Sequence, residues 1–230
     1  MRRVLTPELM DDPELDPAAH ALALRGLARL NALSRSDRIL WPAVREVAQR
    51  VGGRLRVLDL ATGSGDVPLA LAGRAMREGV ELDLHACDIS ETALTHAGDR
   101  ADRLGIHINL WRHDAVTEPF GRRFDVVTCS LFLHHLDTAH AARFLKNAAS
   151  AADHTLLVSD LRRDPAGLAV AWGASRLATR SRIVHVDAVK SVRAAYTPQE
   201  MGELAGCAGL GGGEVCTRWP WRMLLRWCRD

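Results

Sequence analysis

Apolar positions change their period twice along this chain. After Asp16 and Pro17, which have the chemistry of an N-cap followed by a first helical position, Leu22, Leu27, Leu30 and Leu33 recur at roughly helical spacing. A second helix is expected from Ser36 or Asp37, carrying Leu40, Val44, Val47 and Val51 to a stop at Gly52 and Gly53, with Pro42 tolerable only near its first turn. From Leu55 the pattern becomes short apolar runs separated by helical stretches: "LRVLDL", "ELDLHACD", "HINLWRHD", "FDVVTCS" and "HTLLVSD". Alternating strands and helices predict an α/β fold with a parallel sheet. The near-continuous apolar character of the runs predicts strands covered on both faces, as in a doubly wound sheet.

The rhythm breaks between Leu161 and Gln199. There "AGLAVAWGASRLATR" reads as helix and "IVHVDAVKSVRAAYTP" as irregular chain, the natural place for substrate specificity. The C-terminal "EVCTRWPWRMLLRWCRD" alternates by twos, which predicts a strand with Trp219, Trp221, Met223, Leu225 and Trp227 on its buried face and Arg218, Arg222 and Arg226 opposite. A rival reading of these Trp and Arg residues as an interfacial membrane anchor needs a helical period that the segment lacks. The expected organisation is an N-terminal helical cap over 1–52 and a main domain over 53–230 with a cap insertion over 161–199.

Thirty basic and twenty-eight acidic residues give a net charge of +2, too balanced for a dedicated nucleic-acid binder, so a small-molecule partner is expected. Cys87, Cys129, Cys207, Cys216 and Cys228 are odd in number and contain no CxxC pair. They read as reduced core thiols rather than a disulfide framework or zinc site. The N-terminal residues lack a secretory core and no run reaches the eighteen apolar residues of a membrane span, which predicts a cytoplasmic protein without stable membrane insertion. Monomer and homodimer both remain open.

The chemistry begins in "LDLATGSGDVPLALA", residues 58–72. A dinucleotide fingerprint needs a third glycine for close helix packing, but Pro68 stands there, and Asp66 would repel a pyrophosphate at the helix N-terminus. The loop suits a cationic ligand without phosphate, and S-adenosylmethionine fits that description. Taken alone, "GSGD" is also an ordinary strand-to-helix turn with Asp66 as its cap. Three further motifs follow in order at strand ends: "CDIS" with Asp88, "RHDA" with Asp114, and "FDVVTCSLFLHHL".

In these four motifs the chain resembles class I S-adenosylmethionine-dependent methyltransferases of the small-molecule type, strongly from about Arg56 to Asp160. The resemblance implies a Rossmann-like, doubly wound, mostly parallel seven-stranded sheet with an antiparallel C-terminal strand. It also implies that Gly63 and Gly65, with Ala61 between strand and loop, let the backbone approach the cofactor, and that Asp59 lies near the methionine ammonium. Asp88, followed by Ile89, is expected on the ribose hydroxyls, Asp114 with Ala115 at the adenine, and Ser130 at the end of the fourth strand. No metal site is expected.

Methyl transfer from a sulfonium is an in-line displacement, so positioning supplies most of the catalysis, on the order of 7–11 kcal/mol. A phenolic acceptor adds a cost of roughly 4 kcal/mol for ionisation at pH 7, which a general base relieves. "SLFLHHLD" puts His134 and His135 just past the fourth strand, pointing in different directions as adjacent residues, and Asp160 ends the fifth strand. Related O-methyltransferases with a paired His after strand four imply His134 as base, Asp160 as its orienter and His135 in reserve. "LARLN" and "SVRAAYTPQE" are similar to methyltransferases of ubiquinone and menaquinone biosynthesis and to relatives associated with type III polyketide synthases. A phenolic, enolic or polyketide-derived acceptor is implied. Carbon methylation of a quinone-type ring and a non-catalytic adenosylmethionine-binding protein are the alternatives. The acceptor is expected to meet Arg25 and Asn31 of the first helix and a polar patch of the insertion formed by His185, Asp187, Ser191, Arg193 and Tyr196.

Overall fold

In the computed structural model, the described residues are 1–11, 15–16, 18–19, 22–23, 26, 30 and 36–229. Seven strands form one sheet: β1 (Leu55–Leu60), β2 (Leu82–Asp88), β3 (Asn109–Arg112), β4 (Phe124–Ser130), β5 (Ala152–Leu161), β6 (Glu214–Arg218) and β7 (Arg222–Cys228). Their order is β3-β2-β1-β4-β5-β7-β6, with β1 to β5 parallel and β7 antiparallel to both neighbours. This is the expected doubly wound sheet with an antiparallel strand near its C-terminal edge. The order reverses between β1 and β4, so the crevice for a ligand opens at their C-terminal ends.

The continuous apolar strands have the expected cause. Val57, Val126, Leu157 and Leu224 enter one core with Leu40, Val44 and Val47 of α1 (Ser36–Val51) and Leu71 and Ala75 of α2 (Asp66–Glu78). On the opposite face Leu58, Val127, Leu156 and Leu225 meet Phe144 and Leu145 of a later helix, Thr138–Ala151. The crossover helix Glu91–Leu104, here α3, connects β2 to β3. It starts at Ser90, whose side chain accepts from Ala93 N–H, leaving Thr138–Ala151 as α4.

Several local expectations are corrected. Pro42 is the seventh residue of α1, well beyond the first turn. It lies on the exposed face, as does Arg38, the residue whose carbonyl loses a helical donor, so water can meet that carbonyl. The insertion is helical throughout most of its length: α5 (Pro165–Ala178) is followed by α6 (Arg182–Ala194), where irregular chain was expected. The β-branched residues of α6 disguise its period, but Val184, Asp187, Val192 and Ala194 form its buried side. α7 (Pro198–Cys207) opens with a capping box in which Thr197 and Glu200 exchange bonds.

The C-terminal alternation belongs to two strands joined through Trp219–Trp221, not one. Trp219 is 79 % exposed, whereas Arg222, expected on the solvent side, is 1 % exposed. Both faces of β7 are covered, so polarity could not assign them. Only Cys87 and Cys129 are core thiols; Cys207 and Cys228 are exposed and Cys216 is half-buried. At the first helix the Asp16 carboxylate accepts from Ala19 N–H at 2.8 Å, while Pro17, Leu27 and Leu33 lie outside the described residues.

Phe144 is fully buried between sheet and helix, whereas Leu177 is 92 % exposed. Phe144→Ala should therefore lower unfolding free energy by about 3–5 kcal/mol in urea denaturation. Leu177→Ala should change it by less than about 0.5 kcal/mol. Equal effects would overturn this placement of the core.

Candidate functional site

The strand ends β1, β2 and β4 converge on the loop between Asp59 and Asp66. Ala61, Gly63 and Gly65 have φ of 49°, 54° and 73°. At Gly63 an added Cβ would meet nothing within 4 Å, so the left-handed backbone and the open space beside it are what the position provides. At Gly65 it would lie 3.1 Å from Ala97 Cβ, so this glycine also permits α3 to pack closely.

Asp59 is 2 % exposed and accepts from Thr128 Oγ1 at 2.6 Å. Burial pushes its carboxyl up to about 6, against the opposing hydrogen bond from Thr128. Asp88 closes the loop from the second strand: one oxygen accepts from Gly63 N–H at 2.8 Å and the other from Ser90 N–H at 2.9 Å. A carboxylate has about four acceptor positions, so capacity for further donors remains. Ile89 beside it is 58 % exposed.

Asp114 is more occupied than its sequence position suggested. It accepts from Thr117 Oγ1 at 2.5 Å and from Val116 N–H at 2.9 Å, and these bonds, Thr117's first, hold its carboxyl below the usual range. Asp66 forms an ion pair with Arg100, so its charge does not stand alone at the helix N-terminus. Ala115 is buried, and the Ser130 Oγ is buried without a hydrogen-bond partner, as is His113 Nε2. Both atoms therefore have capacity for a further polar partner.

One cleft of about 1850 Å³ runs from this loop to the end of β5. It is lined by Gly63, Asp88, Asp114, Ser130 and, further along, His134 and His135. The two histidines occupy a short 3-10 turn, Leu133–His135, after Leu131 reverses the chain with φ of 59°. Asp160 fixes that turn twice, accepting from His134 N–H at 3.0 Å and pairing with its Nδ1 at 2.7 Å. Because a carboxylate can only accept, Nδ1 carries the hydrogen and the neutral ring keeps its lone pair on Nε2. Burial opposes a charged imidazole, but Asp160 outweighs it and raises the His134 pKa. Asp160 itself is lowered: burial acts upward, and His134 and then Arg222 overcome it.

Arg222 is the functional neighbour that the sequence missed. Its Nε donates to the Asp160 carbonyl at 3.2 Å and its Nη2 to Ser159 Oγ at 3.1 Å and Ser36 Oγ at 3.3 Å, while burial lowers its pKa to about 10. An arginine in an alternating polar row carries no signal of burial. Glu8 and Trp221 also line the cleft without having been singled out, and Gly167 lets Trp221 approach, since a Cβ there would lie 2.9 Å from its ring.

The histidines correct a further expectation. Their rings do not diverge; the centroids are 4.2 Å apart at 34°, because the tight turn lays both against the N-terminal segment. Burial and the neighbouring His134 lower the pKa of His135. In the insertion, His185, Arg193 and Tyr196 are not among the residues lining the cleft. His185 Nε2 lies 2.8 Å from the Thr179 carbonyl, Arg193 is exposed, and Tyr196 is a core residue whose hydroxyl donates to Leu136 O at 3.0 Å. Of the five polar residues expected there, Asp187 and Ser191 line the cleft, together with Val184, Ala188 and Val192. Arg25 and Asn31 lie outside the described residues.

Residues 57–154 match the sequence profile described as "Methyltransferase domain". This segment of the chain thus matches a methyltransferase domain. A curated relative, the release factor glutamine methyltransferase of Bacillus subtilis strain 168, is 35 % identical over 78 residues. That match spans 33 % of this chain and only 25 % of the relative's length. Among solved structures, magnesium protoporphyrin IX methyltransferase from Synechocystis PCC 6803 with bound SAH superposes with a TM-score of 0.57 at 19 % identity, covering 95 % of this chain and 90 % of that one. The plantazolicin methyltransferase BamL, in complex with an analogue and SAH, gives 0.64 at 18 %, covering 87 % and 71 %. The S-adenosylmethionine-dependent methyltransferase SibL gives 0.70 at 17 %, covering 99 % and 63 %. The methyltransferase fold extends well beyond the matched segment, into the C-terminal strands. No helix among the described residues is long and apolar enough to cross a membrane.

Asp160→Ala should cost about 3–5 kcal/mol of stability, because it removes the carboxylate acceptor from the His134 amide and ring and the nearby negative charge from the buried Arg222. Urea denaturation of the variant checks this. A loss below about 1 kcal/mol would mean that Asp160 does not hold the turn.

Proposed function

We propose that this protein transfers a methyl group from S-adenosylmethionine to an oxygen of a phenolic or enolic small molecule, with His134 as general base. The observation that carries the reading is the buried His134–Asp160 pair, 2.7 Å long, with Nε2 left for the cleft that also contains the glycine loop. The solved neighbours bound to SAH, and in one case to a plantazolicin analogue, support the same cofactor and a small-molecule acceptor.

Asp59 faces the methionine ammonium in this reading, Asp88 and Ile89 the ribose, and Asp114 with Ala115 the adenine. The partnerless Ser130 Oγ and the open space at Gly63 support a ligand there. S-adenosylmethionine supplies an electrophilic methyl on a sulfonium. Asp160 keeps the His134 imidazole in the tautomer that accepts at Nε2 and stabilises its protonated form. Nε2 takes the acceptor's hydroxyl proton as the oxygen–methyl bond forms and the carbon–sulfur bond breaks, releasing neutral S-adenosylhomocysteine. The insertion over 161–199 acts as a cap, and Val170, Ala171, Val184, Ala188 and Val192 supply an apolar wall for the acceptor.

His134→Ala should retain S-adenosylhomocysteine binding, read as a thermal shift, while turnover falls about 100-fold or more. Unchanged turnover would remove the base from the mechanism. No thermal shift in the wild-type protein would remove the cofactor.

A pH dependence follows from Asp59. With a folded pKa of about 6, its charge is present above that pH and lost below it, so affinity for S-adenosylmethionine should fall as pH drops from 7 to 5. The stability of the unliganded protein moves oppositely. A raised carboxyl pKa means that the fold prefers the protonated form, so this group's contribution to stability falls as pH rises from the ordinary value of 3.8 to about 6 and stays at its lower level above that. Calorimetric titration across this range, with Asp59→Asn as the pH-insensitive comparison, tests the assignment. A parallel fall in Asp59→Asn would refute it.

A further inference from the structure

The wall between the large cleft and a smaller neighbouring cavity of about 360 Å³ is made by three residues that line both: Glu8, His134 and His135. Their ligand atoms all lie within 4.8 Å of one another. We propose that these three side chains bind a divalent transition-metal ion, such as zinc or cobalt.

Two imidazoles and one carboxylate suit borderline ions such as Zn²⁺ and Co²⁺. Calcium and magnesium favour oxygen ligands. Zinc bonds of about 2.0–2.2 Å put tetrahedral ligands roughly 3.4 Å apart, so atoms within 4.8 Å of one another need to draw in by up to about 1.4 Å. The freedom for that lies in Glu8, half-buried on the N-terminal segment, and in His135, exposed on one side. His134 supplies the fixed point. Its Nδ1 is held by Asp160 at 2.7 Å, the carboxylate–imidazole arrangement that orients a metal-binding ring and raises its basicity at Nε2.

Glu8 is also positioned rather than loose. Leu9 and Met10 N–H groups donate to Asp187 at 2.8 and 3.0 Å, and Ser191 Oγ donates to the Glu8 carboxylate. Among the described residues, neither ring nitrogen of His135 has a hydrogen-bond partner, nor has Nε2 of His134. Three cationic side chains stand nearby and all are engaged: Arg3 donates to Leu136 O at 2.7 Å and Ala194 O at 2.6 Å, Lys190 donates to Pro7 O at 2.7 Å, and Arg222 donates to the Asp160 carbonyl at 3.2 Å. Glu8, Asp160 and Asp187 offset them, leaving the surroundings close to neutral before a metal ion enters. The three ligands leave a coordination position for water. The site goes beyond methyl transfer and does not depend on it, although a metal ion and an acceptor proton would be alternatives at Nε2.

The test uses full-length protein stripped with chelator and titrated with Co²⁺ alone, following its visible ligand-field absorption. Wild type should bind one equivalent, displaced by Zn²⁺, and Glu8→Gln and His135→Gln should each weaken binding at least about ten-fold. Both variants must retain the thermal shift with S-adenosylhomocysteine, which reports folding and the cofactor site separately. Absence of Co²⁺ and Zn²⁺ binding by wild type, or undiminished binding by both variants, overturns the metal site while leaving the methyltransferase reading untouched.

Discussion

A carboxylate removed from water must be answered by donors, and Asp160 organises the paired-histidine end of the cleft through that requirement. It sits at the end of β5, accepts from the His134 amide and ring and from the Leu161 amide, and lies beside the guanidinium of Arg222. Each partner belongs to a different piece of chain. One buried charge therefore ties β5, the turn after β4 and the start of β7 into a single geometry. Through Arg222 and Ser36 the arrangement reaches the N-terminus of α1 as well.

The glycine-loop end of the cleft is built differently, from backbone. Gly63 and Gly65 take left-handed conformations that place amides along the strand ends, and Asp88 accepts from Gly63 N–H so that loop and second strand move as one. Asp59 is the exception, a buried carboxylate whose charge is costly until a cationic partner arrives. Asp114 uses much of its acceptor capacity within its own turn, which makes it a rigid rim more than a free hand for the adenine.

Between these ends the insertion decides what shares the cleft. α5 and α6 present Val170, Ala171, Val184 and Val192 inward, and the polar groups that reach the space are Asp187 and Ser191. Asp187 is drawn to the amides of Leu9 and Met10, so the N-terminal segment closes over the paired histidines. This end of the cleft is thus assembled from parts of the chain nearly 180 residues apart.

While the choice of His134 as the partner of Asp160 came from the family resemblance, the sequence by itself determined the sheet, its mostly parallel character, the glycine loop and the presence of both histidines and Asp160 at one sheet edge. These follow from local rules: apolar runs of strand length, glycines where φ must be positive, and carboxylates or histidines at strand ends that a parallel sheet must bring to one edge. The rest depended on burial, which a one-dimensional pattern reports only when one face of an element meets water. Arg222 reads as a solvent residue because its alternating row is polar, yet both faces of β7 are covered. α6 hides its helical side among β-branched residues, Tyr196 becomes core, and the two histidine rings come together because the N-terminal segment packs against them. Those outcomes are set by which distant segments meet, and only the tertiary structure could decide them.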